Sequence, residues 1–225
     1  GADRDLRYAR DPDACRPMSP PTAMMTSMAS RQLVLASASP ARLRLLWDAG
    51  FDPVVLVSGV DESAVESDDH VELVVTLARR KANSVASIAP SDSVVIGCDS
   101  MLSLGGDALG KPSNPDVARE YWERMAGREG VLLTGHCVID TITGRESSAV
   151  ARTTVHFGTP TKAELDSYLA TGEPLRVAGA FTLDGLAAPF VDGIEGDHGN
   201  VIGLSLPLLR RLLADLDIGI TDLWR

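Results

Sequence analysis

Positive charge is scarce in this chain. Its 225 residues carry 21 Lys and Arg against 31 Asp and Glu, a formal charge of −10. Broad capture of a nucleic-acid backbone or an anionic membrane surface needs clustered cations, so neither is expected as a partner. A small anion held in a locally basic cleft stays open. Aromatic residues make up only 4% of the chain, too few for the stacking surface of a single-strand binder. The three cysteines, Cys15, Cys98 and Cys137, cannot all pair among themselves, and their spacing suggests no disulfide framework. No apolar run approaches the roughly 20 residues of a membrane-spanning helix. A cytoplasmic location is the expectation. What the chain does have is 44% hydrophobic and 23% charged residues, enough to bury a sizeable core in one large domain or two lobes sharing a cleft.

Residues 1–30 show no sustained hydrophobic period, and their four Asp and four Arg cancel, so the net negative charge belongs to residues 31–225. No apolar stretch follows the arginines as a secretory signal requires. The segment reads as a tag remnant or flexible extension, with Met24, Met25 or Met28 as candidate native starts and no function for Cys15. Residues 31–225 contain no linker that would separate two independent domains.

Within that domain strand and helix signals alternate. Strands are expected at 33–36, 54–57 and 94–98, the last turned by Gly105–Gly106 into a hairpin with 108–109. Helices are expected at 40–49, 68–88, 114–125 and 161–170, two longer strands at 131–140 and 147–157. The tail reads as a Gly-rich strand pair, a Leu-rich helix at 205–216 and a last short strand. The fold class is mixed α/β.

The chemistry-bearing residues cluster near element ends. In Leu35-Ala36-Ser37-Ala38-Ser39-Pro40-Ala41-Arg42, a strand runs through two hydroxyls into a helix start carrying an arginine in its first turn. A helix N-terminus is already positive, so a cation there suits a docked anion, phosphate above all. The plainer reading is that Ser39 caps the helix while Arg42 points to water. On the next helix Val71, Val74, Ala78, Ala82 and Val85 share one face, and Lys81 falls within it. A lysine there must snorkel out or meet an anion. The run Val94-Val95-Ile96-Gly97-Cys98-Asp99 ends on a carboxylate, placing Asp99 at an expected strand end, suited to hold Mg²⁺ or take a proton from water, or else merely to cap a turn. Gly105 and Gly110-Lys111 have the spacing of a Walker phosphate loop, but Pro112 replaces the required hydroxyl, so Lys111 is a phosphate contact on another scaffold. Asp61 and Glu62 add a carboxylate pair in a loop. His136 has no partners at zinc-ligand spacing. Two lysines, an arginine and two or three carboxylates suit metal-assisted attack of water on a phosphoryl group.

These motifs in order, LVLASASPARLRLL, V-D-E-S, ARRKA, VIGCDSM, G-K-P, TGH, AGAF and I-E-G followed by NVIGLSLP, make residues 33–216 resemble the Maf family of nucleoside triphosphate pyrophosphatases, relatives of the inosine-triphosphatase-like enzymes. The resemblance implies a single two-lobed domain over residues 31–225, an elongated twisted mixed sheet flanked by helices, and a central cleft that hydrolyses a nucleoside triphosphate to its monophosphate and pyrophosphate. It implies Mg²⁺ or Mn²⁺ as cofactor and a homodimer. Carried over by position, Ser37, Ser39 and Arg42 match the phosphate-binding segment, Lys81 and Lys111 the two phosphate-contacting lysines, Glu62 the acid tied to metal and catalysis, and Asp99 the proton acceptor and metal ligand. Two departures stand out: Ala41 replaces the first of a common arginine pair, and Asp184 stands where many pyrimidine-preferring members carry glutamine, while another branch, which prefers 7-methyl-GTP, has an acidic residue there. Asp184 is therefore expected to bias the pocket away from dTTP and UTP. The alternative is a non-catalytic nucleotide sensor acting in cell division or septum formation.

Overall fold

The computed structural model describes residues 31–65 and 67–225. The N-terminal extension, with Cys15 and the candidate starts Met24, Met25 and Met28, lies outside them.

The described chain opens with β1 (Gln32–Leu35), α1 (Pro40–Asp48), β2 (Val54–Val55), α2 (His70–Ala86), β3 (Ser93–Leu104) and β4 (Asp107–Leu109). It continues through α3 (Pro115–Met125), β5 (Glu129–Asp140), β6 (Glu146–Phe157), α4 (Lys162–Ala170), β7 (Val191–Glu195), α5 (His198–Ile202) and α6 (Leu206–Asp215). The strands form one mixed sheet in the order β2-β1-β3-β5-β6-β7, with β4 also paired to β3. This is the mixed α/β class that the alternation of signals predicts.

Three strands dominate. β3, β5 and β6 have 12 residues each, so each spans roughly 40 Å. Their two ends lie in different cores. At one end Leu33, Leu35, Val94, Ile96, Cys98 and Val138 pack against Leu46 of α1 and the leucines of α6. At the other, Leu102, Leu104, Leu132 and Phe157 pack against Trp122 of α3 and Tyr168 and Leu169 of α4. On the opposite face of the first half, α2 covers Val34, Val95, Cys137 and Ile139 with Ala78, Ala82 and Val85. The two lobes are the two ends of one continuous set of strands.

The edge of β3 has a gap at its middle. β1 runs parallel to its first part, from Gln32 opposite Ser93 to Leu35 opposite Ile96. β4 pairs antiparallel with its far part, from Leu102 opposite Leu109 to Leu104 opposite Asp107. Among the described residues, no strand pairs with 97–101 on that edge. Asp99 sits in this gap. The expectation of a strand end at Asp99 is thus corrected: β5 pairs with β3 from Val94 to Ser103, and buried Met101 and Leu102 carry the strand on past the polar Asp99-Ser100 step. What ends near Asp99 is the neighbouring strand β1.

The tail also differs from expectation. The Gly-rich segment supplies one strand, β7, paired to β6 rather than to a second tail strand. Residues Ala178–Ala180 make a 3₁₀ turn in which Gly179 (φ 67°) and Ala180 (φ 59°) bend the chain too sharply for a ladder. The last short strand is instead a 3₁₀ turn, Ile220–Leu223, followed by a single bridge between Phe51 and Trp224. β2 is shorter than read, although Leu56 still donates to the Leu35 carbonyl at 3.1 Å.

Candidate active site

All eight sequence-derived site residues, Ser37, Ser39, Arg42, Glu62, Lys81, Asp99, Lys111 and Asp184, line one cleft of about 850 Å³. That size falls in the range of pockets that hold a drug-sized ligand. It lies over the gap in β3, between the start of α1, the face of α2 and the turns of the second lobe.

The start of α1 follows from its local sequence. Ser39 is the N-cap, accepting from the Arg42 backbone N–H, and Pro40 occupies the first helical position, where a missing N–H costs nothing. Ser37 Oγ accepts from the Ser39 N–H at 3.2 Å and from Arg42 Nη1 at 3.1 Å. Both of its lone pairs are used, so its own proton is available to donate.

Arg42 lines the cleft and is not the solvent-facing residue of the plain reading. It is 8% exposed. Its guanidinium donates to the Gly203 carbonyl at 2.7 Å, the Cys98 carbonyl at 3.0 Å, Ser37 Oγ at 3.1 Å and Ser100 Oγ at 2.9 Å. Those bonds use four of its five N–H donors. The Cys98 carbonyl belongs to the unpaired stretch of β3, so Arg42 stands in for the missing strand and ties α1, β3 and the end of α5 together.

Opposite it, Lys81 meets anions, as its place on an apolar face requires. Its Nζ is 2.6 Å from Asp99 Oδ1 and 2.6 Å from Glu62 Oε1. Asp99 is 7% exposed. Burial pushes its pKa above the usual carboxylate value, outweighing the opposing pull of Lys81 and Arg42. Glu62, on the single 3₁₀ turn Glu62–Ala64, is better solvated. Burial works against its charge too, but the Lys81 ammonium, with Lys111 and Arg42 beyond, brings its pKa below the ordinary value. One carboxyl of the pair is thus tuned toward holding a proton and the other toward holding charge.

Mg²⁺ typically takes one or two protein carboxylates and completes its shell with water and substrate phosphate. Asp99 and Glu62, both hard oxygen donors converging on one point, fit such an ion.

The far wall carries residues that sequence reasoning did not single out. Arg176, at the end of the 3₁₀ turn Glu173–Arg176, lines the cleft and is exposed; nothing in an irregular, aperiodic segment marks it. Thr182 Oγ1 donates to Asp184 Oδ1 at the cleft surface. Ser100 and Thr134 continue inward from Arg42: Ser100 Oγ lies 2.9 Å from Thr134 Oγ1, which donates to the Asn200 carbonyl at 3.1 Å. Both sit in quoted motifs, VIGCDSM and TGH, so their signal was present without a role attached. His136 uses both ring nitrogens within the protein: its Nδ1–H donates to the Thr134 carbonyl and its Nε2 accepts from the Ser205 N–H, each at 2.9 Å.

A family model described as Maf-like protein matches residues 32–216. A Streptomyces coelicolor protein named nucleoside triphosphate pyrophosphatase is 61% identical over 201 residues, covering 89% of this chain and 98% of that protein. Proteins of the same name from Salinispora tropica and Nocardia farcinica are 57% identical over 197 residues and 56% over 204; each match covers 86% of this chain, with 87% and 96% of those proteins. The matched family span takes in every residue that lines the cleft, from Ala36 to Ile202, and the helices that support it, and the chain belongs to the Maf-like protein family.

Proposed function

We propose that this chain hydrolyses nucleoside triphosphates to the monophosphate and pyrophosphate. The observation that carries the reading is the pair Asp99 and Glu62 converging on Lys81 at 2.6 Å each, across a cleft from a hydroxyl-bearing helix start, in a chain whose relatives bear the name of that activity. Ser37, Ser39 and the start of α1, with Lys111, hold the triphosphate, and Arg42 fixes Ser37 while adding positive potential. Asp99, its carboxyl raised by burial yet ionisable, takes the proton of an attacking water. The water oxygen bonds to the α-phosphorus as the bridging oxygen to the β-phosphorus departs with the bond's electron pair, leaving as pyrophosphate. Lys81 orients Asp99 and offsets charge on the reacting phosphate. A divalent cation, Mg²⁺ or Mn²⁺, would be held by Asp99 and Glu62 and would supply neutralisation of phosphate charge.

Asp184 accepts from Thr182 and has acceptor capacity left for a guanine-like N–H edge. It supports a preference away from dTTP and UTP, in keeping with removal of modified nucleotides from the pool. The sensor reading is not favoured, since a sensor needs phosphate contacts but no buried base. Residues 31–225 acting as a single domain, a homodimer and a cytoplasmic location complete the proposal, the dimer being checked by sedimentation.

The test is pyrophosphate release from canonical and modified nucleoside triphosphates with Mg²⁺ or Mn²⁺. Asp99→Asn should keep the fold and lower kcat by about 10²–10⁴-fold, the range for loss of a general base. Near-wild-type turnover in that variant would refute the role of Asp99, and a first-ranked dTTP or UTP would refute that of Asp184.

A further inference from the structure

α2 lies on the sheet with no side chain between its backbone and two positions of the strands below. A β-carbon added to Gly97 would stand 2.3 Å from the Ala78 carbonyl oxygen and 2.8 Å from the Ala82 nitrogen. One added to Gly135 would stand 2.1 Å from the Val74 carbonyl oxygen. Real β-carbons essentially never approach within 3.0 Å, and here the obstacles are main chain, which cannot rotate aside. The helix would have to retreat by roughly 1 Å.

The two glycines share a face with the catalytic acid. Gly135 is directly opposite Asp99 on β5, and Gly97 lies two residues before it on β3; side chains two apart on a strand point the same way. The helix meets Gly97 with two small residues one turn apart, Ala78 and Ala82, and meets Gly135 with the backbone of Val74 and Val75. Lys81 sits between these contacts in sequence, its stem buried in the same interface and its ammonium 2.6 Å from both carboxylates. A lysine on an exposed helix could re-extend to follow a shift. One whose stem is packed between helix and sheet has little room to do so.

We propose that Gly97 and Gly135 are positioning residues of the active site: the absence of their β-carbons seats α2 directly on β3 and β5 and so fixes the Lys81 ammonium between Asp99 and Glu62. The inference rests on the pyrophosphatase reading, because it assigns the glycines a part in that reaction.

The experiment measures kcat and KM for pyrophosphate release by the full chain, alone and carrying Gly97→Ala or Gly135→Ala. Displacing a catalytic group by about 1 Å costs on the order of 10²-fold in rate, so kcat should fall by that much. KM should change by less than about 3-fold, because the α1 start and Lys111 do not ride on α2. In a Lys81→Met background, adding Gly135→Ala should change kcat by less than about 3-fold, since both substitutions then act on one group. Val85→Ala, which removes packing from the same buried face of α2 without touching the seat, should lower the melting temperature and leave kcat in place. The proposal is overturned if Gly135→Ala still costs about 10²-fold without Lys81, if Val85→Ala slows turnover as much, or if both alanine variants fail to fold, which would make the seat a requirement of folding alone. An inactive wild-type chain would instead overturn the hydrolase reading, and this inference with it.

Discussion

Removing the ammonium of Lys81 would leave Asp99 and Glu62 facing a position now filled by an amine 2.6 Å from each. Asp99 is 7% exposed, so water screens its stranded charge poorly. Breaking a buried ion pair by deleting one partner costs about 3–5 kcal/mol, and the better-solvated Glu62 places the expectation at the low end. Lys81→Met should therefore lose about 3 kcal/mol of stability in urea unfolding. Asp99→Asn removes the stranded charge, so the double variant should lie within about 1 kcal/mol of Asp99→Asn alone. Simple addition of the two losses would show that the pair is not coupled. Lys81 could be found in the sequence because a charge on a helix's apolar face is a contradiction that demands a partner. Asp99 could be found because an acid after a buried β run is another. Arg42 was visible as a cation at a helix start, but the direction of its guanidinium depends on carbonyls of Cys98 and Gly203 that are distant in sequence. Arg176 left no trace because it sits in a turn without period.

Elements with strong local punctuation were legible to within a residue or two. Asn114 and Pro115 open α3, and Thr161 with Glu164 closes a capping box on α4. The continuation of β3 past Asp99 is not legible locally, because it depends on the partner strand β5, which no local pattern announces. The turn at Ala178–Ala180 has no local signature, because its support is also remote. Trp122 of α3, fully buried, donates its indole N–H to the Ala180 carbonyl at 3.0 Å, and Tyr168 of α4 donates to the same oxygen at 3.3 Å. Phe157, Tyr168 and Phe190 surround the indole edge-on at 5.9, 6.0 and 5.9 Å between centroids. This aromatic cluster anchors the segment that leads into Thr182 and Asp184 at the cleft. Trp122→Ala should cost about 3–5 kcal/mol through the cavity it opens. Trp122→Phe keeps most of the packing and loses one hydrogen bond, about 1 kcal/mol. If the cluster positions the Asp184 wall, Trp122→Phe should raise KM while leaving kcat close to wild type. An unchanged KM would confine the cluster to stability.

For the molecule as a whole, the joint between the sheet and the C-terminal helix is a histidine that must stay neutral. His136, in the middle of β5 and 0% exposed, donates from Nδ1 to the Thr134 carbonyl and accepts at Nε2 from the N–H of Ser205, the N-cap of α6. A protonated ring would have no lone pair for Ser205. Burial pushes its pKa from 6.5 down to about 4, the Thr134 carbonyl opposes this, and the Arg42 and Asp197 charges act in opposite senses. The unfolded chain therefore binds more protons at this site than the folded one between about pH 6.5 and 4. The contribution is complete above pH 6.5 and drains away as the pH falls, amounting to about 3 kcal/mol lost by pH 4. Acidification also reduces the self-repulsion of a chain that carries −10 at neutrality, so the wild-type curve alone cannot isolate the histidine. His136→Gln supplies the comparison: an amide presents one acceptor and two donors and does not titrate in this range. Unfolding free energies from urea titrations at pH 7 to 4 should fall more steeply for the wild type than for His136→Gln, the gap between the two curves closing or reversing by about 3 kcal/mol across the window. Parallel curves would mean that α6 does not depend on a neutral ring, and the anchoring of the C-terminal helix would have to be sought in its leucines alone.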